Sequence, residues 1–290
     1  MTTIIDGARL ATSIRQDASQ AAAALAAQGC TPKLAVLLAT SDESTAWYVR
    51  SIAKAARQNG IDCEIVDLGP EAGTEQLRDA LVALSHDPEV HGIILQTPLP
   101  AGADLAVLRE AIDPAKDIDG ANPVSLGRLA ANLPTFAPAT AHAVMALLES
   151  HGISPRGKTV AVVGRSTVVG VPAAHLLTQA DGTVTVCHRR TADLAATTRN
   201  AEILVAAVGV PGLITDQHVA EGAIVIDVGT TATEDGRLLG DVDASTVEGR
   251  AGALTPVPGG VGPVTTALLL QHTVQAAAEQ FARADTSAGE

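Results

Sequence analysis

An α/β fold in two domains, the second a Rossmann-type doubly wound parallel sheet, is what the sequence predicts, on three observations. Apolar runs of strand length alternate with helical patterns along nearly the whole chain. The length of 290 residues exceeds that of an ordinary single domain. Apolar residues make up 47%, yet the aromatics are only Trp47, Tyr48, Phe136 and Phe281. The cores must therefore be Ala, Val, Leu and Ile packed between helices and sheet.

Strands are expected over residues 33–39, 62–68, 90–96, 159–163, 183–187, 203–207 and 223–228. Helical periodicity covers 7–28, 44–59, 74–85, 169–179 and 191–200. Strand, helix, strand in repetition implies parallel sheets with crossover helices. The stretch IDPAKDIDGANP at 112–123 interrupts the alternation before a new series starts at Lys158. The expected domains are 1–138 with 266–290, and 139–265. A last helical pattern over 264–282 returns to the first domain, and the tail 284–290 is expected to be frayed.

The net charge of −13 argues against nucleic acid or an anionic membrane as partner, because both need a basic face. Any anionic ligand must be met by a local cluster of cations. Cys30, Cys63 and Cys187 are an odd number with no CxxC, which favours a reducing, cytoplasmic setting over a disulfide framework. The start MTTIIDGARLATSIR has no signal-like apolar segment, and no run of 18 apolar residues occurs, so neither export nor a membrane span is expected. The eight histidines show no HExxH spacing, and no metal site is expected.

In TVAVVGRSTVVGVP an apolar strand runs directly into Gly164, and a helix starts near Val169. Bare N–H groups at a helix N-terminus favour anions, so a dinucleotide's phosphates are expected over Gly164, Arg165, Ser166, Val169, Gly170 and Pro172. The spacing is Gly-x5-Gly rather than GxGxxG, and a tight turn without a ligand is the alternative. An NAD site usually offers a carboxylate at the end of the next strand, roughly 20 residues on. Here that strand ends in His188-Arg189-Arg190. With Arg165 these cations suit the 2′-phosphate of NADP, although a solvated basic loop has the same composition.

Three further stretches are idiosyncratic: WYVRSIAKA from Trp47, QTPLP from Gln96 to Pro100 with Pro98 and Leu99, and PAKDIDG ending at Gly120. With GRSTVVGVP, TVTVCH and PGGVGPVT (Pro258, Gly259, Gly260, Gly262, Pro263, Thr265), the set resembles the methylenetetrahydrofolate dehydrogenase/methenyltetrahydrofolate cyclohydrolase family, in order from Asp6 to Ala278. The resemblance implies a folate cleft between two domains, a catalytic one and an NADP-binding one, and homodimerisation through the cofactor domains. Tyr48 would stack on the folate rings of a tetrahydrofolate substrate, Gln96 would lie beside the one-carbon bridge, and Asp119 would hold the pterin. Pro98, Leu99 and the 258–265 loop would complete the folate site. Val208, Gly209, Gly229 and Gly262 would join the cofactor site. Read without the family, Tyr48 is a half-buried helix residue, Gln96 a strand end and Asp119 a turn former.

The family pattern Y-V-x-x-K-x-K-A places a catalytic lysine four residues after the tyrosine, and this position is Ile52. Ser51, Ile52 and Ala55 share the face of Tyr48 at about 100° per residue, and none is a cation. Arg50 and Lys54 point to the opposite side. Milder departures are Ala139 and Ala141 in the stretch after Pro138, Arg189 for a serine, and His272 for an asparagine. The expected activity is NADP-dependent oxidation of 5,10-methylenetetrahydrofolate, with cyclohydrolase activity lost or weak. The alternatives are a fully bifunctional enzyme, a silent NADP- or folate-binding paralogue, and a dehydrogenase for another folate-like substrate.

Overall fold

The computed structural model describes residues 2–233 and 236–288. In chain order its elements begin with β1 (Thr3–Ile4), α1 (Ala8–Ala26), β2 (Lys33–Leu38), α2 (Glu43–Gln58), β3 (Asp62–Asp67), α3 (Thr74–His86) and β4 (Gly92–Leu95). There follow α4 (Leu105–Glu110), α5 (Pro123–Ala130), α6 (Ala139–Ser150), β5 (Thr159–Val163), α7 (Gly170–Gln179), β6 (Thr183–Cys187) and α8 (Leu194–Thr198). The chain ends with β7 (Ile203–Ala206), β8 (Ile224–Asp227), β9 (Thr231–Ala232), β10 (Leu238–Leu239), α9 (Ala244–Val247), β11 (Ala253–Leu254) and α10 (Val261–Ala288). No helix among the described residues is long and apolar enough to cross a membrane.

The chain divides into two compact units. One comprises Ser13–Arg128, Pro134–Ala137 and the residues from Ala267 onward. Its sheet is parallel in the order β3-β2-β4. Ala35, Leu37, Leu77, Leu81, Ile93 and Leu108 form a core between this sheet and the helices α3 and α4. Because β3 lies on one side of β2 and β4 on the other, the order reverses beside β2. Open parallel sheets bind ligands outside the carboxyl ends of their strands at such a reversal.

The other unit runs up to Thr12 and includes Leu129–Leu133 and Pro138–Thr266. Its six-stranded sheet, in the order β1-β11-β8-β7-β5-β6, is parallel throughout. Val163, Leu204, Ala206, Val225, Val247 and Leu254 lie in its core. Here the order reverses at β5, which has β6 on one side and β7 on the other.

The sequence expectation had put the amino-terminal residues with the smaller sheet. Instead β1 pairs with β11, Thr3 opposite Ala253 and Ile4 opposite Leu254, which adds the first residues to the larger sheet. The last helix also runs to Ala288 rather than stopping at 282, so most of the tail expected to be frayed is helical. Residues 289 and 290 lie outside the described residues.

Candidate active site

In the smaller unit α2 begins at Asp42, whose carboxylate accepts the N–H groups of Ser44 and Thr45 at 3.3 and 3.0 Å. The hydroxyls of both residues also donate to it, and these bonds hold the carboxyl down at about 2. Thr45, Val49, Ile52, Ala53 and Ala56 form the buried stripe of the helix at helical spacing. Ile52 is completely buried, and Tyr48, one turn earlier, is 37% exposed at the edge of the stripe. Arg50 pairs with Glu43 at 3.4 Å, and Lys54 is exposed. The buried Lys116 turns its ammonium to the carbonyls of Leu84 and Asp87, at 3.4 and 2.6 Å, closing the carboxyl end of α3. That end of α3 precedes β4, whereas Gln96 follows it.

Gln96 is fixed to the sheet by its N–H, which donates to the Leu37 carbonyl at 2.9 Å. Its side-chain amide donates to the carbonyl of Thr97 at 2.7 Å, and the Thr97–Pro98 peptide is cis. Pro98 is exposed, while Leu99 packs partly against the core. Beside β4 the Ile93 N–H reaches the Lys116 carbonyl at 2.8 Å and draws the 116–120 segment against the sheet. Tyr48 thus lies on the helix that follows β2, Gln96 directly follows β4, and Asp119 lies on the segment held beside β4.

Asp119 is half-buried and precedes Gly120, whose φ of 63° is the left-handed conformation that glycine adopts without a Cβ clash. Two residues earlier Asp117 has a different role. It is fully buried and accepts the N–H groups of Ala121 and Asn122, both at 2.9 Å, and the Ser125 hydroxyl at 2.5 Å. Burial pushes its carboxyl upward against these bonds. Arg109 on α4 is partly buried, which pushes its guanidinium downward while the charges of Asp119 and Asp117 oppose the shift. His272 on α10 donates from Nδ1 to the Ile118 carbonyl at 2.8 Å, and its ring lies 5.2 Å from that of Phe136.

Sequence reasoning assigned no role to Arg109, Asp117 or His272. His272 reaches a carbonyl 154 residues away, and although Asp117 acts within its own loop, its acceptor role depends on the turn the backbone makes there, which no residue pattern marks.

In the larger unit Gly164 lies at the carboxyl end of β5 with φ 125°, and a Cβ there would overlap the Ala207 carbonyl. A Cβ on Gly170 would overlap the Gly164 carbonyl. Both glycines are therefore demanded by close backbone approach. The turn offers fewer bare donors than a helix N-terminus usually does. The Val169 and Val171 N–H groups donate to the Ser166 hydroxyl and carbonyl at 3.2 and 3.0 Å, and Pro172 has none. An anion above the turn would rely more on the exposed Arg165 and Ser166.

Arg189 and Arg190 follow β6 and are exposed, with His188 half-buried before them. Among the described residues none of Arg165, Arg189 and Arg190 is ion-paired, so their charge is available to an anionic group. Gly229 is buried, and a Cβ there would overlap the carboxylate of Asp241, so only glycine fits. The loop of Pro258, Gly259 and Gly260 is closed by the Gly7 N–H on the Gly259 carbonyl at 2.9 Å, and it leads into α10 through Gly262, Pro263 and Thr265. Among the described residues no cluster of His, Cys, Asp and Glu is placed to hold a metal ion.

Two family models match along the chain. Residues 5–119 match the catalytic domain of tetrahydrofolate dehydrogenase/cyclohydrolase, and residues 138–281 its NAD(P)-binding domain. The chain belongs to the tetrahydrofolate dehydrogenase/cyclohydrolase family. It is 73% identical over 283 residues to the bifunctional protein FolD 1 of Rhodococcus jostii, covering 98% of this chain and 95% of that one. The crystal structure of the bifunctional enzyme FolD from Campylobacter jejuni superposes with a TM-score of 0.93 at 38% identity, covering 96% of this chain and 99% of the other. The Trypanosoma brucei dehydrogenase-cyclohydrolase, solved with NADP cofactor and an inhibitor, superposes with a TM-score of 0.91 at 36% identity, covering 96% and 98%. The chain is accordingly an oxidoreductase of tetrahydrofolate one-carbon metabolism, with dehydrogenase activity on methylenetetrahydrofolate and an NAD(P)-binding domain.

Proposed function

We propose that this enzyme oxidises 5,10-methylenetetrahydrofolate to 5,10-methenyltetrahydrofolate with NADP⁺ and hydrolyses the product poorly or not at all. Ile52 carries the reading: it stands fully buried where the resemblance places a lysine. Arg50 is turned to Glu43, Lys54 is exposed, and Lys116 is bound to backbone carbonyls. No neighbouring ammonium on α2 takes the place of the lysine.

The two reactions make different demands. Oxidation expels a hydride from the N–CH₂–N carbon, assisted by the nitrogen lone pairs, so orientation matters most. NADP⁺ supplies the hydride acceptor. Tyr48 offers a ring face to the folate, Gln96 lies beside the one-carbon bridge, and Asp119 accepts from the pterin N–H donors with Arg109 nearby. Pro98 and Leu99 extend the folate contacts within the same unit. Hydrolysis needs an attacking water to be oriented and deprotonated, for which a sec-butyl group has no chemistry.

NADP is favoured over NAD by Arg165, Arg189 and Arg190, which answer a 2′-phosphate as bidentate donors. The remaining cofactor contacts fall to the glycine turn, Val208, Gly209, Gly229 and Gly262. Dimerisation through the cofactor unit belongs to the same reading. β6 is an edge strand with Thr183, Thr185 and Val186 exposed, whereas strands of parallel sheets are normally covered on both faces. A monomer in sedimentation equilibrium would overturn that part.

The decisive assay supplies methylenetetrahydrofolate and NADP⁺ and follows NADPH and methenyl absorbance together. The expected result is one methenyl accumulated per NADPH formed, decaying at the spontaneous rate. Accelerated conversion to the 10-formyl compound would indicate the bifunctional enzyme. Absence of NADPH formation would indicate a binding protein.

A further inference from the structure

Val208, Gly209 and Val210 follow β7 at its carboxyl end. All three N–H groups converge on one carboxylate: Val208 and Gly209 donate to Oδ2 of Asp241 at 2.6 and 3.1 Å, and Val210 donates to Oδ1 at 2.8 Å. Asp241 is fully buried, so these bonds are shielded from water.

It is itself held by a second buried carboxylate. Oδ1 of Asp227 accepts the N–H groups of Asp241 and Gly229 at 2.9 and 3.0 Å, and Oδ2 accepts that of Val242 at 3.0 Å. Glycines make room for both acids. A Cβ on Gly229 would overlap Asp241, and one on Gly240 would overlap Asp227.

The arrangement fixes the polarity of the loop. Its three N–H groups are taken, so it can meet a ligand in the plane of its backbone only through carbonyl oxygens. The Val210 carbonyl receives the Leu213 N–H at 3.3 Å, and the Ala207 carbonyl is packed against Gly164. The carbonyls of Val208 and Gly209 are left as the acceptors.

The sheet order says which part of a dinucleotide they meet. β5 ends in the glycine turn, β6 on one side ends in the arginines, and β7 on the other side ends in this loop. A dinucleotide laid across the turn with its adenosine phosphate toward β6 extends its nicotinamide half over β7. That half carries ribose hydroxyls and a carboxamide amino group, which are donors.

We propose that Asp241 is a positioning residue for the cofactor: by absorbing the three loop N–H groups it presents the Val208 and Gly209 carbonyls to the donors of the nicotinamide half. The inference rests on the NADP reading above. It assigns cofactor recognition to a side chain that faces away from the ligand.

The test uses the full-length chain and Asp241→Asn, which keeps the shape but replaces one accepting oxygen by an amino group. Rates are measured with NADP⁺ and methylenetetrahydrofolate varied in turn, and NADP⁺ binding by calorimetry. Kd and KM for NADP⁺ are expected to rise at least tenfold, while KM for the folate stays within twofold. A purely structural role would move both constants together or neither, and either result overturns the proposal. If Asp241→Asn does not fold, Asp241→Ser is read by the same criteria. Wild-type protein that does not bind NADP⁺ overturns the cofactor reading and this inference with it, whereas tight wild-type binding that the variant retains overturns the inference alone.

Discussion

Both parallel sheets reverse their strand order, at β2 in the smaller unit and at β5 in the larger, but the two reversal points are finished differently. Beside β5 the surface is backbone. Gly164 and Gly170 permit close approach, and Asp241 and Asp227 clamp six N–H groups of the surrounding loops. Beside β2 the candidate residues are side chains: Tyr48, Gln96 and Asp119 are partly exposed, and the buried Asp117, Asn122 and His272 bond the backbone of residues 112–122. On the proposed reading a dinucleotide, a large and constant ligand, meets a fixed backbone shape, whereas the folate chemistry rests on a few side chains, so that one replacement on α2 deletes a reaction while the fold and the cofactor end stay as they are.

Ile52→Lys breaks that contrast most directly. The position lies one turn from Tyr48 on the same side of α2, and a four-carbon stem can lie along the apolar stripe with its ammonium carried to the edge. A positioned proton-transfer group contributes on the order of 10² or more. Hydrolysis of methenyltetrahydrofolate is therefore expected to rise about a hundredfold over wild type. Placing a cation in a fully buried stripe is expected to lower the unfolding free energy by about 2 kcal/mol. A well-folded variant that hydrolyses no faster than wild type would show that Ile52 is not what limits the second reaction.

The same contrast explains how much was legible in the sequence. β5, β6 and α2 each carry enough periodic residues to be read, and their bounds in the structure agree with the expected ones to within a residue. β1 and β11 have two residues each, too few for any period, and their pairing spans some 250 residues of chain. α6 shows no clear amphipathic period because Ala139, Ala141, Ala143, Val144, Leu147 and Leu148 bury it on several sides and leave a weak polar stripe. At the site, Tyr48, Gln96, Asp119 and the glycine turn stood out because family motifs are local strings. Asp241 reaches N–H groups 31 to 33 residues away, and His272 reaches a carbonyl 154 residues away. Only the folded backbone gives those residues their role.

The backbone clamp of the larger unit has a cost that pH exposes, and this smaller effect sharpens the comparison from the other side. Burial raises the Asp227 carboxyl to about 6, and the nearby charge of Asp241 adds to the rise, against the bonds from Val242, Asp241 and Gly229. Its unfolded value is about 3.9. The folded value lies above the unfolded one, so the stabilising contribution is full below about 4 and is lost as pH rises through about 6. Between pH 5 and pH 7 the loss is roughly 1 kcal/mol. Asp117 is shifted in the same direction by burial, so total stability mixes the two clamps. Asp227→Asn separates them, because it cannot ionise and leaves Asp117 untouched. Denaturant unfolding of both proteins at pH 5 and 7 should show wild type losing about 1 kcal/mol relative to the variant on going to pH 7. A pH-independent difference would mean that the three N–H groups fully offset the burial of this charge, and that the backbone-built end is no more sensitive to ionisation than the side-chain-built one.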